Sequence, residues 1–202
     1  MKLKNTAKLF LLRHLKSQWN LENRFTGWTD IPLSQEGVEG AKKVSQELKG
    51  EKFDAVYSSP LKRNKETVNL IFGILGQKNL PVVLNKALDE RNYGELTGLN
   101  KAETIKKYGE TLVHQWRRSY TIAPPGGESG KDVYKRAIPF FKKYIEKDLK
   151  AGKNVLVVAS HNSLRAIVKY VENISDENFG SLELGFGALV KYEFDGNKYI
   201  KL

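Results

Sequence analysis

Two unbroken apolar runs, each followed closely by a histidine, constrain the fold of this chain most strongly. The first, residues 9–12, leads directly into Arg13 and His14, and the second, residues 155–159, comes just before His161. Apolar runs without alternation are typical of strands buried on both faces of a sheet. Because ligands of open α/β sheets bind at the carboxyl ends of the strands, we expect both histidines to lie at a ligand-binding edge.

The other candidate strands are separated by segments of helical periodicity. Buried strands are predicted at residues 8–12, 53–58, 80–84 and 155–159. Residues 188–194 alternate between apolar and charged side chains, which predicts an edge strand with one face in water. Strands that alternate with helices predict an α/β fold: a single-domain three-layer sandwich over residues 1–202, with a mainly parallel sheet and helices on both faces.

Four helices are predicted between the strands. Ser34 is a candidate N-cap for a helix that ends near Gly50, and Ser129 with Asp132 forms a variant of the capping box. The other two helices cover residues 61–75 and the region of residues 164–171. Pro139 is expected to kink the helix that begins at Ser129. The apolar face of that helix is predicted to consist of Val133, Ala137, Phe141, Tyr144 and Ile145.

The composition excludes several kinds of site and partner. The chain has no cysteine, which excludes disulfides, thiolate metal sites and cysteine nucleophiles. The formal net charge is +11, but the lysines are scattered, which indicates a solvated surface rather than a nucleic-acid site. No apolar run has the length of a bilayer span, and the N-terminus lacks the apolar core of a signal peptide. We therefore expect a cytoplasmic protein without nucleic-acid or membrane partners.

The arginines are distributed differently from the lysines. Only eight of the 34 basic residues are arginines, and most of these lie at strand ends, at helix starts or in turn-rich segments. A guanidinium group binds carboxylate and phosphate in a bidentate way that lysine cannot reproduce. The pattern predicts a compact arginine cluster that faces a small polyanion, with surface salt bridges as the alternative. The arginines concerned are Arg13, Arg63, Arg91, Arg117, Arg118 and Arg165.

Five motifs follow one another along nearly the whole chain. They are residues 13–20 (Arg-His-Leu-Lys-Ser-Gln-Trp-Asn) with 25–28 (Phe-Thr-Gly-Trp), residues 59–63 with Thr67, residues 88–101, residues 116–120 with 124–129, and residues 162–166. In content and order they resemble the histidine phosphatase superfamily and, more closely, its cofactor-dependent phosphoglycerate mutases. The third motif is the one that separates these mutases from general phosphatases.

The resemblance implies a role for each matching residue. His14 would be the nucleophile, Arg13, Arg63 and His161 would surround the transferring phosphoryl group, and Glu90 would be the general acid–base. The implied substrate-binding residues are Ser17, Asn20, Thr26, Gly27, Arg91, Tyr93, Lys101, Arg117, Arg118 and Asn162. The implied reaction interconverts 3-phosphoglycerate and 2-phosphoglycerate, a small phosphorylated three-carbon acid. It is primed by 2,3-bisphosphoglycerate and uses no metal ion, in a monomer or a homodimer.

The residues themselves leave alternatives to these roles. His14 could be a satisfied core histidine, and charge alone does not distinguish Glu90 from its neighbour Asp89. A general acid–base needs a carboxyl group whose pKa is raised by partial burial, and we expect this of Glu90.

The chain departs from the family pattern at two places. Leu15 and Lys16 stand where the family has Gly and usually Glu, and Ser160-His161 stands where it has His-Gly. Either His161 turns inward beyond the strand end, or the site lacks its second imidazole. Two other functions therefore stay open: a phosphatase of the same superfamily that acts on a small phosphate ester, and a catalytically weak relative that binds phosphorylated ligands.

Overall fold

The computed structural model describes residues 6–77 and 80–202 of the chain, and its centre is one six-stranded sheet. The strands are β1 (Ala7–Arg13), β2 (Ala55–Ser58), β3 (Val82–Leu84), β4 (Val155–Ala159), β5 (Leu189–Phe194) and β6 (Tyr199–Lys201). Their order in the sheet is β3-β2-β4-β1-β5-β6. β1 and β2 pair with β4, and β3 with β2, in parallel, whereas β5 runs antiparallel to β1 and β6. The predicted α/β class with a mainly parallel sheet is confirmed.

Two strand predictions are corrected by this order. Residues 188–194 do not form an edge strand, because β5 lies between β1 and β6. The segment 80–84 is not a buried strand: β3 is an edge strand, and Val83 and Leu84 each remain 46% exposed. The two edges of the sheet are thus its two shortest strands, which limits the backbone available for pairing with another chain.

Helices cover both faces of the sheet. They are α1 (Gln18–Leu21), α2 (Gln35–Glu47), α3 (Lys62–Leu75), α4 (Lys101–Tyr108), α5 (Glu110–Arg118), α6 (Gly130–Phe140), α7 (Glu146–Lys150) and α8 (His161–Val171). Short 3-10 helices lie at Lys86–Leu88, Gly94–Leu96 and Glu177–Ser181. Successive side chains of a strand point to opposite faces, so each central strand supplies both halves of the core. Leu9 and Leu11 pack with α6, α7 and α8, whereas Phe10 and Leu12 pack with α2 and α3.

The capping residues begin the helices where the sequence predicts. The Ser34 hydroxyl accepts a bond of 3.1 Å from the Gly37 N–H at the start of α2, and Ser129 and Asp132 form the reciprocal capping box of α6. Pro139 lies inside α6, and a five-residue π-helix, Phe141–Ile145, follows directly. The predicted apolar face of this helix is wrong at Tyr144, which is 42% exposed. It lies in the π-helix, which has more residues per turn than an α-helix, so the α-helical spacing behind the prediction does not hold there.

No helix among residues 6–77 and 80–202 is long and apolar enough to cross a membrane.

Candidate active site

A cavity of about 260 Å³ opens at the carboxyl ends of the central strands β1 and β4. Its lining consists of Arg13, His14, Asn20, Asn23, Arg24, Phe25, Thr26, Gly27, Arg63, Glu90, Tyr93, Lys101, Arg117, Arg118, His161, Glu183 and Phe186. Six of these residues are lysine or arginine and only two are acidic, so the cavity has a strongly positive lining. This is the arrangement that a small ligand with several negative charges requires.

His14 follows β1 and lies buried at the base of the cavity. Its ring Nδ1 lies 2.7 Å from the Leu15 carbonyl oxygen, to which it donates, so that the lone pair is on Nε2. Burial and the charges of Arg63 and Arg13 hold the pKa of His14 well below its usual value, despite the bond to Leu15. A neutral imidazole that carries its lone pair at Nε2 is a competent nucleophile toward phosphorus.

Arg63, in the first turn of α3, holds a fixed cation beside this nitrogen. Its Nε lies 3.3 Å from His14 Nε2, and its two terminal nitrogens donate to the carbonyl oxygens of Thr29 and Gly27 at 3.1 and 2.8 Å. Because three contacts restrain the planar guanidinium, it is positioned before any ligand arrives. The Thr67 hydroxyl adds to this by joining Arg63 to β1: it donates to the Arg63 carbonyl and accepts from the Leu15 N–H.

Glu90 supplies the buried carboxylate of the cavity. Its Oε1 accepts from the Arg91 N–H at 2.7 Å and from the Asn162 side-chain amide at 2.8 Å. Burial raises the pKa of Glu90, but these bonds and the charges of Arg63 and Arg13 outweigh it, and the net pKa lies below the ordinary value. The expectation of a raised pKa is therefore wrong for the ligand-free protein, because donors to the charged form surround this carboxylate.

Asp89 points away from the cavity, which removes the ambiguity between the two adjacent carboxylates. Its Oδ1 accepts from the Ser59 hydroxyl at 2.6 Å, and it lines a neighbouring cavity with Glu128 and Arg136. Arg136 also donates to the Glu90 carbonyl oxygen at 2.9 Å. Of these two neighbours, Glu90 lines the cavity of His14, and Arg136 binds its backbone from the neighbouring cavity.

Two further cations of the lining, Arg13 and Lys101, have lowered pKa values. The Arg13 guanidinium stacks on the Phe186 ring at 3.9 Å, and burial lowers the pKa of Arg13 to about 10. Burial and the charges of Arg117 and Arg13 lower the pKa of Lys101 to about 8. Cations that depress one another's pKa are held together at a cost in free energy, which an anionic ligand would offset.

Several buried donors around the cavity have no hydrogen-bond partner in the described part of the chain. Among the residues that line it, these are Arg13 Nε, Thr26 Oγ1 and His161 Nε2. Buried polar groups are nearly always paired in folded proteins. Unpaired donors around a positive cavity fit a ligand with many acceptor oxygens, which is the chemistry of 2,3-bisphosphoglycerate.

A sequence profile described as the histidine phosphatase superfamily (branch 1) matches residues 9–201. The chain belongs to this superfamily. A 2,3-bisphosphoglycerate-dependent phosphoglycerate mutase of Treponema denticola is 45% identical, over 94% of this chain and 88% of the relative. A protein of the same description from Cytophaga hutchinsonii is 44% identical over 96% of this chain and 93% of the relative.

Solved structures of the superfamily have the same fold. A phosphoglycerate mutase from Bacillus anthracis superposes with a TM-score of 0.78, at 26% identity, over 98% of this chain and 92% of its own. A mycobacterial glucosyl-3-phosphoglycerate phosphatase superposes with a TM-score of 0.84, at 24% identity, over 97% of both chains. The second similarity concerns the fold alone.

Not every position that matches the superfamily motifs lines the cavity. Ser17, Arg91 and Asn162 lie behind the lining and hold other residues in place. Ser17 caps α1, and its hydroxyl donates to Asn20 at 2.8 Å. Arg91 is fully buried, stacks on Tyr93 at 4.8 Å and donates to the Arg117 carbonyl oxygen. The other residues implied by the resemblance line the cavity. Arg165 of the predicted arginine cluster does not: it is fully buried and donates to Asn162 and to the Phe179 carbonyl oxygen.

The departures from the superfamily pattern at Leu15 and Lys16 leave the cavity unobstructed. The Leu15 side chain is buried in the core on the α2 side of the sheet. The Lys16 ammonium points outward and pairs with Glu36 at 2.9 Å. Neither the bulk of Leu15 nor the charge of Lys16 therefore reaches His14.

The second departure places an imidazole in the cavity from a different position. Ser160 is the N-cap of α8 and is fully buried, with its hydroxyl 3.4 Å from the Asn64 amide. His161, the first residue of α8, lines the cavity, and burial with the surrounding arginines lowers its pKa. Of the two possibilities left open by the sequence, the inward-facing His161 is the one observed.

Five cavity residues were not predicted from the sequence. They are Asn23, Arg24, Phe25, Glu183 and Phe186. Residues 23–25 lie beside a predicted motif, and the left-handed backbone of Asn23 (φ 57°) marks the turn that brings them to the cavity. Glu183 and Phe186 lie between the last 3-10 helix and β5, in a segment without any motif.

Proposed function

We propose that this protein is a phosphoglycerate mutase, which interconverts 3-phosphoglycerate and 2-phosphoglycerate through a phosphohistidine at His14. The observation that carries the proposal is one positively lined cavity that contains both a neutral His14 and a buried carboxylate, Glu90. Relatives named 2,3-bisphosphoglycerate-dependent phosphoglycerate mutase, at 44–46% identity over most of the chain, support it.

Phosphoryl transfer begins at Nε2 of His14. This nitrogen attacks phosphorus, and the ester oxygen leaves as the new N–P bond forms. The positive charge that develops on the ring is stabilised through the Nδ1–H bond to the Leu15 carbonyl oxygen. Arg63 lies beside Nε2, and Arg13 lines the same cavity, so both can neutralise the phosphoryl oxygens without reorganisation.

Glu90 is the proposed acid–base. When the phosphoryl group leaves His14 for a substrate hydroxyl, Glu90 takes the hydroxyl proton, and it returns that proton in the reverse direction. Its low pKa in the free protein keeps it ionised as a base. A bound polyanion offsets the charges of Arg63 and Arg13, which raises the pKa of Glu90 toward the operating pH.

The outer cations orient the substrate. Lys101, Arg117 and Arg118 would bind its carboxylate and second phosphate, so that a hydroxyl or phosphate faces His14. The phosphoryl group that primes His14 is supplied by 2,3-bisphosphoglycerate when it is bound. We propose that no metal ion takes part, since fixed cations line the whole cavity. We also propose a cytoplasmic location and a monomer or homodimer.

Ser160 favours a second candidate function, a phosphate-ligand-binding protein with weak turnover. At this position the family pattern has a histidine, whereas the Ser160 hydroxyl of this chain lies near Asn64. His161 brings its imidazole into the cavity from the next position, beside Glu183, so the transferring phosphoryl group would lack an imidazole at the family's position. This would slow transfer but leave Lys101, Arg117 and Arg118 free to bind ligands.

A coupled assay separates these functions. Formation of 2-phosphoglycerate from 3-phosphoglycerate is measured with and without 2,3-bisphosphoglycerate, for the wild type, His14→Ala and His114→Ala. His114 is an exposed residue of α5 outside the cavity and serves as the matched control. The mutase proposal expects primer-stimulated turnover that only His14→Ala abolishes. Absence of turnover in a protein that still binds 2,3-bisphosphoglycerate would favour the binding function instead.

A further inference from the structure

A carboxylate of the protein itself lies among the cations at the mouth of the cavity. Glu183 follows the 3-10 helix Glu177–Ser181, and one of its carboxylate oxygens forms an ion pair with Arg118. The other oxygen lies 3.4 Å from His161 Nε2, a buried nitrogen that makes no hydrogen bond. The Glu183 carboxylate therefore lies where an anionic group of a ligand would contact Arg118 and His161.

Glu183 differs from the other acidic residue of the lining. Glu90 is buried, and backbone and amide donors fix its carboxylate. The Glu183 side chain is 55% exposed and is held by the ion pair with Arg118, with His161 Nε2 3.4 Å from its other oxygen. A half-exposed side chain can move into solvent without leaving a buried charge unpaired, so a stronger anion can displace it.

The backbone beside Glu183 is anchored, so only the side chain needs to move. Leu184 is buried, and its carbonyl oxygen accepts a bond from Arg13. Phe186 packs against the Arg13 guanidinium, and its ring centre lies 6.2 Å from that of His14. These contacts hold the segment against the cavity, with the Glu183 carboxylate next to Arg118.

Two cations of the lining lie beside different histidines. Arg63 Nε lies 3.3 Å from His14 Nε2, whereas Arg118 pairs with Glu183, whose other carboxylate oxygen lies 3.4 Å from His161 Nε2. A single phosphate bound at His14 would contact Arg63 and need not displace Glu183. A ligand with a second anionic group would also need Arg118, with which Glu183 is paired.

We propose that Glu183 is a specificity-determining residue, whose carboxylate competes with the second anionic group of the ligand for Arg118 and His161. The inference rests on the proposed function, because it takes a phosphorylated acid as the ligand. It predicts that Glu183 weakens the binding of ligands with two anionic groups relative to inorganic phosphate. The competition thus sets the affinity for phosphoglycerates and speeds their release.

The test compares two probes by calorimetry. One is 2-phosphoglycolate, which has a phosphate and a carboxylate but no hydroxyl to accept a phosphoryl group, and the other is inorganic phosphate. Wild type, Glu183→Gln and Glu47→Gln are compared. Glu47 is an exposed residue of α2 outside the cavity, so its substitution removes the same charge elsewhere. Thermal unfolding establishes that each variant is folded.

We expect Glu183→Gln to bind 2-phosphoglycolate about threefold to fivefold more tightly, the upper part of the range for a half-exposed ion pair. Inorganic phosphate should change by less than about twofold, and Glu47→Gln should behave as the wild type. An equal gain for both probes, or no gain, would overturn the role of Glu183 and leave the mutase proposal standing. If 2-phosphoglycolate binds none of the three proteins, the phosphoglycerate site and this inference both fail.

Discussion

Replacing Lys101 by arginine should remove a pH dependence of ligand binding. This dependence arises because the surroundings of Lys101 lower the pKa of its ammonium group. Lys101 begins α4 and lines the cavity, where burial and the charges of Arg117 and Arg13 lower its pKa from 10.5 to about 8. By the standard conversion of a pKa difference, this corresponds to roughly 3 kcal/mol against the charged ammonium. Near pH 8 the ligand-free protein therefore holds only about half a proton at this site.

A bound anion raises the lowered pKa of Lys101 again. At about 4 Å and an effective dielectric constant of about 20, an anion stabilises the ammonium by about 4 kcal/mol, which is enough to restore the ordinary pKa of Lys101. Binding at pH 8 should thus take up about half a proton, and binding at pH 7 about a tenth. Because the charged form binds, affinity should fall as the pH rises through about 8.

Proton uptake is measured by titrating 2-phosphoglycolate calorimetrically at pH 8 in two buffers with different heats of ionisation. The wild type should show a heat that depends on the buffer. Lys101→Arg should not, because arginine stays charged throughout this range. If Lys101→Arg takes up the same half proton as the wild type, another group titrates and the assignment to Lys101 is refuted.

Three further substitutions test other parts of the molecule. Glu90→Gln should lower kcat for mutase turnover by about 10²–10⁴-fold, and a kcat within a factor of about three of the wild type would exclude Glu90 as the acid–base. Leu15→Gly restores the family residue but opens the core, so urea unfolding should reveal a loss of about 3–5 kcal/mol without a gain in kcat per folded molecule. Ser34→Ala removes the N-cap bond to Gly37 and should cost about 1 kcal/mol in the same measurement; an unchanged unfolding midpoint would contradict the capping role.

The fold could be predicted for segments whose own side-chain pattern indicates how deeply they are buried. β1 and β4 lie at the centre of the sheet, and the strands predicted from their apolar runs, residues 8–12 and 155–159, match the observed strands to within one residue at each end. The prediction that β5 is an edge strand was wrong because alternating side chains indicate only that one face of a strand is exposed to solvent. An inner antiparallel strand can have such a face too. Its neighbour β6 has only three residues, too few to form a recognisable pattern.

The site residues that belong to a sequence motif could be predicted. The prediction was weaker where the direction of a side chain decides whether the residue lines the cavity. The Arg13-His14 pair lies where the strand pattern places it. The direction of His161 depends on where β4 ends and α8 begins, which a change of one residue would alter. The state of Glu90 depends on donors from Arg91 and Asn162, whose geometry no sequence pattern specifies.

The central claim is that His14 carries the phosphoryl group, and the most direct measurement identifies the phosphorylated residue. The protein is mixed with 2,3-bisphosphoglycerate, quenched in alkali, digested and analysed by mass spectrometry. We expect one acid-labile phosphoryl group at His14, absent from His14→Ala and lost when 3-phosphoglycerate is added. A phosphoryl group at His161 or Ser160, or none on a protein that binds 2,3-bisphosphoglycerate, would contradict the claim.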